Sequence, residues 1–220
     1  MGYNRETLIP YIPASQYDAV ANDFLEIYFP DALHHPTPVP IEAIAKDEIG
    51  LDVQYVCLSE EQDIFGMTLF EDCNVEIYNP VEGLYNEQFF KRKTILIDSE
   101  AVRLTNAGCK NNTLAHECVH WYKHRMYFLM QRYTAVRKAK YCKCRVDRVP
   151  FSTEDEAIME VQATGIAPRI LMPKNTFTEA ALNLGITYGQ DNMKAVHQLA
   201  DFFGVSKQSV KIRLKECSLL

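Results

Sequence analysis

The stretch that most restricts what this chain can fold into runs from Thr113 to His124 and reads Thr-Leu-Ala-His-Glu-Cys-Val-His-Trp-Tyr-Lys-His. His116 and His120 stand four residues apart with Glu117 directly after the first, the His-Glu-x-x-His pattern of helical zinc sites. On an α-helix four residues advance about 400° and about 6 Å, so the two imidazoles leave one face one turn apart. That spacing lets both rings reach a single Zn²⁺ at about 2.0–2.1 Å. Glu117 lies about 100° round the helix, badly placed as a ligand but well placed to face a water as general base. The alternative is an amphipathic helix whose histidines line a polar seam. The surroundings favour a buried helix instead. Leu114, Cys118, Trp121, Tyr122, Met126, Leu129 and Met130 supply an apolar face, and Asn111-Asn112-Thr113 offers N-cap side chains. Two histidines and a glutamate turned inward need a partner, and a metal ion is one.

A tetrahedral catalytic site needs a third protein ligand. Thr153 and Glu156 stand in capping-box relation and predict a helix start, and Pro173 stops that helix after Leu171. Within it Glu160 sits among Ile158, Met159, Val161 and Ala163, where a carboxylate is costly to bury unless paired or metal-bound. Glu160 is therefore the expected third ligand. His124 is its rival, on nearly the same face as His116 and His120. Eight residues, however, carry it about 12 Å along the axis from His116, which suits a place behind the ligands or over the helix face. A longer metzincin-type motif fails, because Lys123 and Met126 stand where it needs Gly and His. Candidates to stabilise an oxyanion are Tyr122, Tyr141, His124 and His197.

The rest of the chain sets the frame. Its 220 residues suit one good-sized domain, 47% hydrophobic and so able to pack a core. A net charge of −6 argues against nucleic acid or an acidic membrane as the general partner. Seven scattered cysteines, no signal-peptide core and no run of membrane-spanning length predict a cytoplasmic protein with reduced thiols. Three parts are expected: an N-terminal helix with a proline-rich extension (1–40), a zinc peptidase-like domain (41–175) and a C-terminal helical segment packed on it (176–220). His34-His35, in the proline-rich connector, reads as a solvated pair. Strands are expected over Leu51–Leu58, Ile64–Phe70, Cys73–Tyr78 and Lys93–Asp98. The expected class is α+β, a small antiparallel sheet laid on a zincin-like active-site helix. Such a sheet edge can align an extended substrate by strand addition. Arg132–Arg148, with Cys142 and Cys144, reads as an exposed basic loop rather than a structural zinc site. Leu199–Leu214 has the look of a helix-turn-helix, Ser206 capping a second helix that bears Lys207, Gln208, Lys211 and Arg213. An ordinary helical hairpin closing the core is the preferred reading of it.

With these blocks in view the chain resembles the ImmA/IrrE family of zinc metallopeptidases. The likeness rests on Thr113–His120 with His124 after it; on Glu160-Val161-Gln162-Ala163 leading to Ala167 and to Ile170-Leu171-Met172-Pro173; and on Val205-Ser206 followed by Arg213-Leu214. Gly66 and the strand ending Ile97-Asp98 fit the same layout, so the likeness spans roughly Ile41 to Leu220. It implies His116, His120 and Glu160 as zinc ligands and Glu117 as catalytic base. It also implies a protein substrate, since family members of known role cleave helix-turn-helix repressors that control mobile elements or stress responses. Two departures stand out. The segment between His120 and Glu160 is longer than usual, and Thr164-Gly165-Ile166 replaces the usual Asn-x-Phe. The competing class is a DNA- or protein-binding regulator whose zinc is structural or sensory.

Overall fold

The computed structural model describes residues 2–3, 8–100, 107–131, 141–145 and 153–220, with residues 3, 107, 131 and 141–145 described by backbone alone. The fold is α+β. At the N-terminus the short strands β1 (Gly2–Tyr3) and β2 (Pro10–Tyr11) pair as an antiparallel hairpin. Helix α1 (Tyr17–Tyr28) then buries Tyr17, Val20, Ala21, Phe24 and Leu25 at the helical period. Short helices α2 (Asp31–His34) and α3 (Ile41–Ala43) follow, the latter running on as a wider turn to Glu48.

Six strands come next or later: β3 (Asp52–Val56), β4 (Ile64–Leu69), β5 (Cys73–Asn79), β6 (Leu84–Phe90), β7 (Thr94–Asp98) and β8 (Tyr141–Arg145). Four of them form one sheet in the order β3-β7-β4-β8. β4 is antiparallel to both neighbours, whereas β3 runs parallel to β7, so the sheet is mixed rather than antiparallel throughout. Parallel neighbours need a long crossover, and residues 57–93 provide it. β5 and β6 form a separate hairpin. β6 was not expected from the sequence, and its burial shows why: six of its seven residues are exposed and only Phe90 is buried, so no alternation marks it.

The stretch read as a basic loop contains β8, paired along β4 with a bulge between Ile64 and Gly66. A margin strand carrying lysine and arginine is a usual way to keep a sheet edge soluble, and such a strand looks like a loop in sequence. The remainder of that stretch, residues 132–140 and 146–148, lies outside the described residues, as do the side chains of Cys142 and Cys144.

Helix α4 (Ala107–Val119) passes through a π turn at His120–His124 into α5 (Arg125–Gln131). The helix begins earlier than its expected caps. Asn111 lies inside it and donates from Nδ2 to the Gly204 carbonyl at 2.9 Å, and Thr113 is buried. Helix α6 (Glu154–Leu171) has the expected cap, Thr153 Oγ1 accepting from the Glu156 amide at 3.1 Å, with three acidic residues in its first turn suiting the helix dipole. Helices α7 (Lys174–Asn183), α8 (Met193–Phe203) and α9 (Lys207–Glu216) complete the chain.

The strands' alternation positions the site. On β7, Ile95 and Ile97 join the main core with α1, α4, α6 and the C-terminal helices, while Leu96 joins a smaller core with Met67, Leu69 and Phe90. On β4, Met67 and Leu69 take that second side, which leaves Gly66 and Thr68 facing α4. Phe70, just past β4, stacks on Phe128 with ring centroids 3.9 Å apart and on Trp121 at 5.7 Å, locking the sheet to α5 and to the π turn before it.

The Thr164-Gly165-Ile166 departure has a packing reason. A Cβ on Gly165 would come within 2.1 Å of Tyr17 Cε2, so glycine is what lets the ring of α1 lie on α6. At the other end, the α8–α9 pair has helix-turn-helix form, turning at Gly204 (φ 62°) with Ser206 capping α9. Arg213, a DNA contact only under the less favoured helix-turn-helix reading, is 1% exposed. Its guanidinium donates to the Met172 carbonyl at 3.0 Å, to Glu216 at 3.1 Å and to Asp18 of α1. It closes the core. No helix among the described residues is long and apolar enough to cross a membrane.

Candidate metal centre

α4 and α6 pack against each other with His116 and His120 on one and Glu160 on the other, and the three side chains converge. His116 Nε2 lies 2.9 Å from His120 Nε2 and 3.0 Å from Glu160 Oε2, and His120 Nε2 lies 3.1 Å from Glu160 Oε1. All three residues are buried. Glu160 Oε1 makes no hydrogen bond despite that close approach. Two imidazoles and a carboxylate brought this close in a buried space form a group that could hold a metal ion in common. Ligands bonded to zinc at about 2.0–2.1 Å in a tetrahedron stand about 3.3–3.4 Å apart, so a few tenths of an ångström of spreading would admit it. The donor set of two imidazoles and one carboxylate fits a zinc ion.

The electrostatics are consistent with that use. Burial alone would raise the Glu160 carboxyl, but the His120 and His116 rings beside it hold it below the usual carboxylate range. Glu117 is fully buried, and burial pushes its carboxyl up to about 8, only partly offset by His120 and by a hydrogen bond from Thr68. That bond, Thr68 Oγ1 to Glu117 Oε2 at 2.6 Å, fixes one carboxylate oxygen and leaves Oε1 with no partner. A Cβ on Gly66 would meet Glu117 Oε1 at 2.8 Å and Thr113 Cγ2 at 2.8 Å, so glycine on β4 makes the room in which this carboxylate sits.

His124 is fully buried with both ring nitrogens engaged: Nδ1 lies 3.0 Å from His120 Nδ1, and Nε2 lies 2.9 Å from Gln162 Oε1. Its ring centroid stands 5.1 Å from that of His120, much as His120 stands 4.7 Å from His116 one turn earlier. Burial drives the His124 imidazole down to about 3. Among the other oxyanion candidates, Tyr122 is turned to Phe24 and Tyr28 with ring centroids at 5.4 and 6.3 Å, and His197 is exposed on α8. The Tyr141 side chain lies outside the described residues. His34 and His35 belong to the end of α2 and not to the converging group.

Sequence reasoning missed two residues here, Thr68 and Gln162. Thr68 could have been found, since it stands two places after Gly66 on a strand and so shares its helix-facing side. Gln162 offered no such signal, because its partners are distant in the chain.

A solved structure of a Mycobacterium tuberculosis transcriptional regulator is similar in fold, with a TM-score of 0.50 and 15% identity over 93% of this chain and 47% of that one. The present chain thus spans about half the length of that regulator. No curated protein matches in sequence. A family profile described as the IrrE N-terminal-like domain, a peptidase domain, matches residues 80–215, more than half of the chain and the whole of the converging site. The chain belongs to the ImmA/IrrE family.

Proposed function

We propose that this protein is a cytoplasmic zinc-dependent endopeptidase whose substrate is a helix-turn-helix transcriptional repressor. The observation that carries the reading is the meeting of His116, His120 and Glu160 at about hydrogen-bond distance, beside a buried glutamate with one unpartnered oxygen. His116, His120 and Glu160 are the residues that would hold the ion. When bound there, zinc supplies a Lewis acid that acidifies water and polarises the scissile carbonyl. Glu117 takes up the proton of the attacking water at Oε1 and returns it to the leaving amine. Thr68 keeps the carboxylate aimed by holding Oε2. The carboxylate is fully buried, with Gly66 and Thr113 packed close beside it.

The sheet constrains how substrate enters. β4 is the strand against Glu117, and its outer edge is already paired by β8, Cys144 standing opposite Gly66. A peptide added to the far side of β8 would have β8 between it and β4, the strand that carries Gly66 and Thr68 against Glu117. Strand addition at the site therefore requires β8 to leave. In zinc-loaded Glu117→Gln protein, hydrogen exchange at residues 141–145 is expected to speed up when the repressor binds while residues 66–68 stay protected. Undiminished protection of β8 in that complex would rule out this entry route.

The similar transcriptional regulator raises a second reading, DNA binding through α8 and α9. Burial of Arg213 weighs against it, since it takes the one arginine of α9 away from any base and leaves Lys207, Gln208, Lys211 and Lys215 as the side chains able to reach a duplex. The test of the main reading is incubation of the purified, zinc-loaded chain with the repressor encoded beside its gene. Cleavage is expected, and it should stop with a chelator and return with added zinc. Intact repressor under zinc-replete conditions, or cleavage indifferent to the chelator, would defeat it.

A further inference from the structure

The N-terminal hairpin lies outside the matched family region, yet it is hydrogen-bonded to the candidate metal centre through two side chains. Gln162 Nε2 donates to the Pro10 carbonyl at 2.8 Å. A carbonyl can only accept, so the amide nitrogen of Gln162 is fixed on that side and its Oε1 must face the other way. Oε1 faces His124 Nε2 at 2.9 Å. An amide oxygen also can only accept, so His124 carries its hydrogen on Nε2. A neutral imidazole with that tautomer has its lone pair on Nδ1. That atom lies 3.0 Å from His120 Nδ1, which must then be the donor. With its hydrogen on Nδ1, His120 turns a bare Nε2 toward His116 and Glu160, the form a metal ligand needs.

We propose that Gln162 and His124 are positioning residues that hold His120 in its metal-binding tautomer, and that Pro10 of β2 anchors this chain of hydrogen bonds. The inference rests on reading His116, His120 and Glu160 as metal ligands. It assigns a role to the N-terminal hairpin: the hairpin is part of what sets metal affinity. All the donors and acceptors along the chain are buried, so water does not offer the rings an alternative partner. The direction of every bond follows from the one group that cannot reverse, the Pro10 carbonyl.

Two measurements on the full chain test it. Imidazole ¹⁵N spectra of the metal-free protein should show hydrogen on Nε2 of His124 and on Nδ1 of His120; the opposite tautomer at either ring would overturn the proposal. Zinc affinity, read by competition with a chromophoric chelator, should fall about 10- to 100-fold in Gln162→Leu, which has similar volume but neither donor nor acceptor. His124→Gln, whose amide oxygen can still accept from His120, should recover most of that loss relative to His124→Phe. Unchanged zinc affinity in Gln162→Leu would also overturn it, and if that variant fails to fold the spectra of the natural chain still decide. The outcome is separable from the peptidase reading. Expected tautomers and weakened zinc in a protein that cuts nothing would uphold this arrangement and defeat only the enzyme.

Discussion

Glu117→Gln is expected to lower the cleavage rate by about 100- to 10,000-fold, the range that a positioned general base contributes, while zinc stays bound. The amide is nearly the same size and can still accept from Thr68, so the pocket beside Gly66 is undisturbed. What it cannot do is take a proton. A second readout distinguishes this from simple damage. In the metal-free protein the Glu117 carboxyl, raised to about 8, favours the protonated form, whereas the unfolded chain ionises near the ordinary value of about 4.3. The unfolded state therefore releases its proton first as pH rises, and Glu117 destabilises the fold progressively between those two values. His124 acts in the opposite sense: its imidazole, held down to about 3, costs stability as pH falls below about 6.5. Between about pH 6.5 and 8 only the Glu117 effect remains. Metal-free Glu117→Gln should accordingly melt higher than the natural chain at pH 8 and less so at pH 6.5. A variant that still turns over substrate, or whose metal-free stability advantage does not grow across that interval, contradicts the role given to this carboxylate.

Arg213→Met should produce the largest loss of stability among substitutions of charged residues in the C-terminal helices. The guanidinium ties together three parts of the chain: Asp18 on α1, the Met172 carbonyl at the end of α6 and Glu216 on α9. Arg169 bridges the same two carboxylates, 2.8 Å from Glu216 and 3.7 Å from Asp18. Breaking a buried ion pair on one side costs about 3–5 kcal/mol. Asp18 and Glu216 each keep about a third of their side-chain exposure and can be rehydrated, which lowers the expected cost to about 2–4 kcal/mol. For a chain of this size that is a drop of about 5–15 °C in melting temperature. Lys211→Ala, on the same helix, should leave the melting temperature nearly unchanged. Were α9 a DNA-reading helix, the pattern would invert, with Arg213→Met folding normally and losing salt-dependent duplex binding.

How much of this was legible depended on how far apart the participating residues lie. His116, Glu117 and His120 announce themselves because helical period alone puts them together, and Glu160 because a carboxylate stands out in an apolar run. Gly165 was visible as a departure, but its reason was not, since Tyr17 lies in a different helix. Gln162 and Pro10 are 152 residues apart in sequence, and no local pattern could join them. β8 was misread because the polar composition of a sheet margin matches that of a loop. The enclosure of Arg213 was hidden for a related reason: a basic residue on a short amphipathic helix is usually solvated, and only the tertiary positions of Asp18 and Met172 reveal that this one is buried. The early start of α4 shows the same limit, because Asn111 had a partner in the α8–α9 turn that outweighed its value as a cap.

The most direct test of the central claim is the zinc content of purified Glu160→Ala protein beside that of the natural chain, both loaded with zinc and then desalted. If His116 and His120 on α4 and Glu160 on α6 share one ion, the natural chain retains about one zinc and the folded variant retains almost none. Equal zinc in the two proteins would mean that Glu160 is no ligand and that the metal centre lies elsewhere.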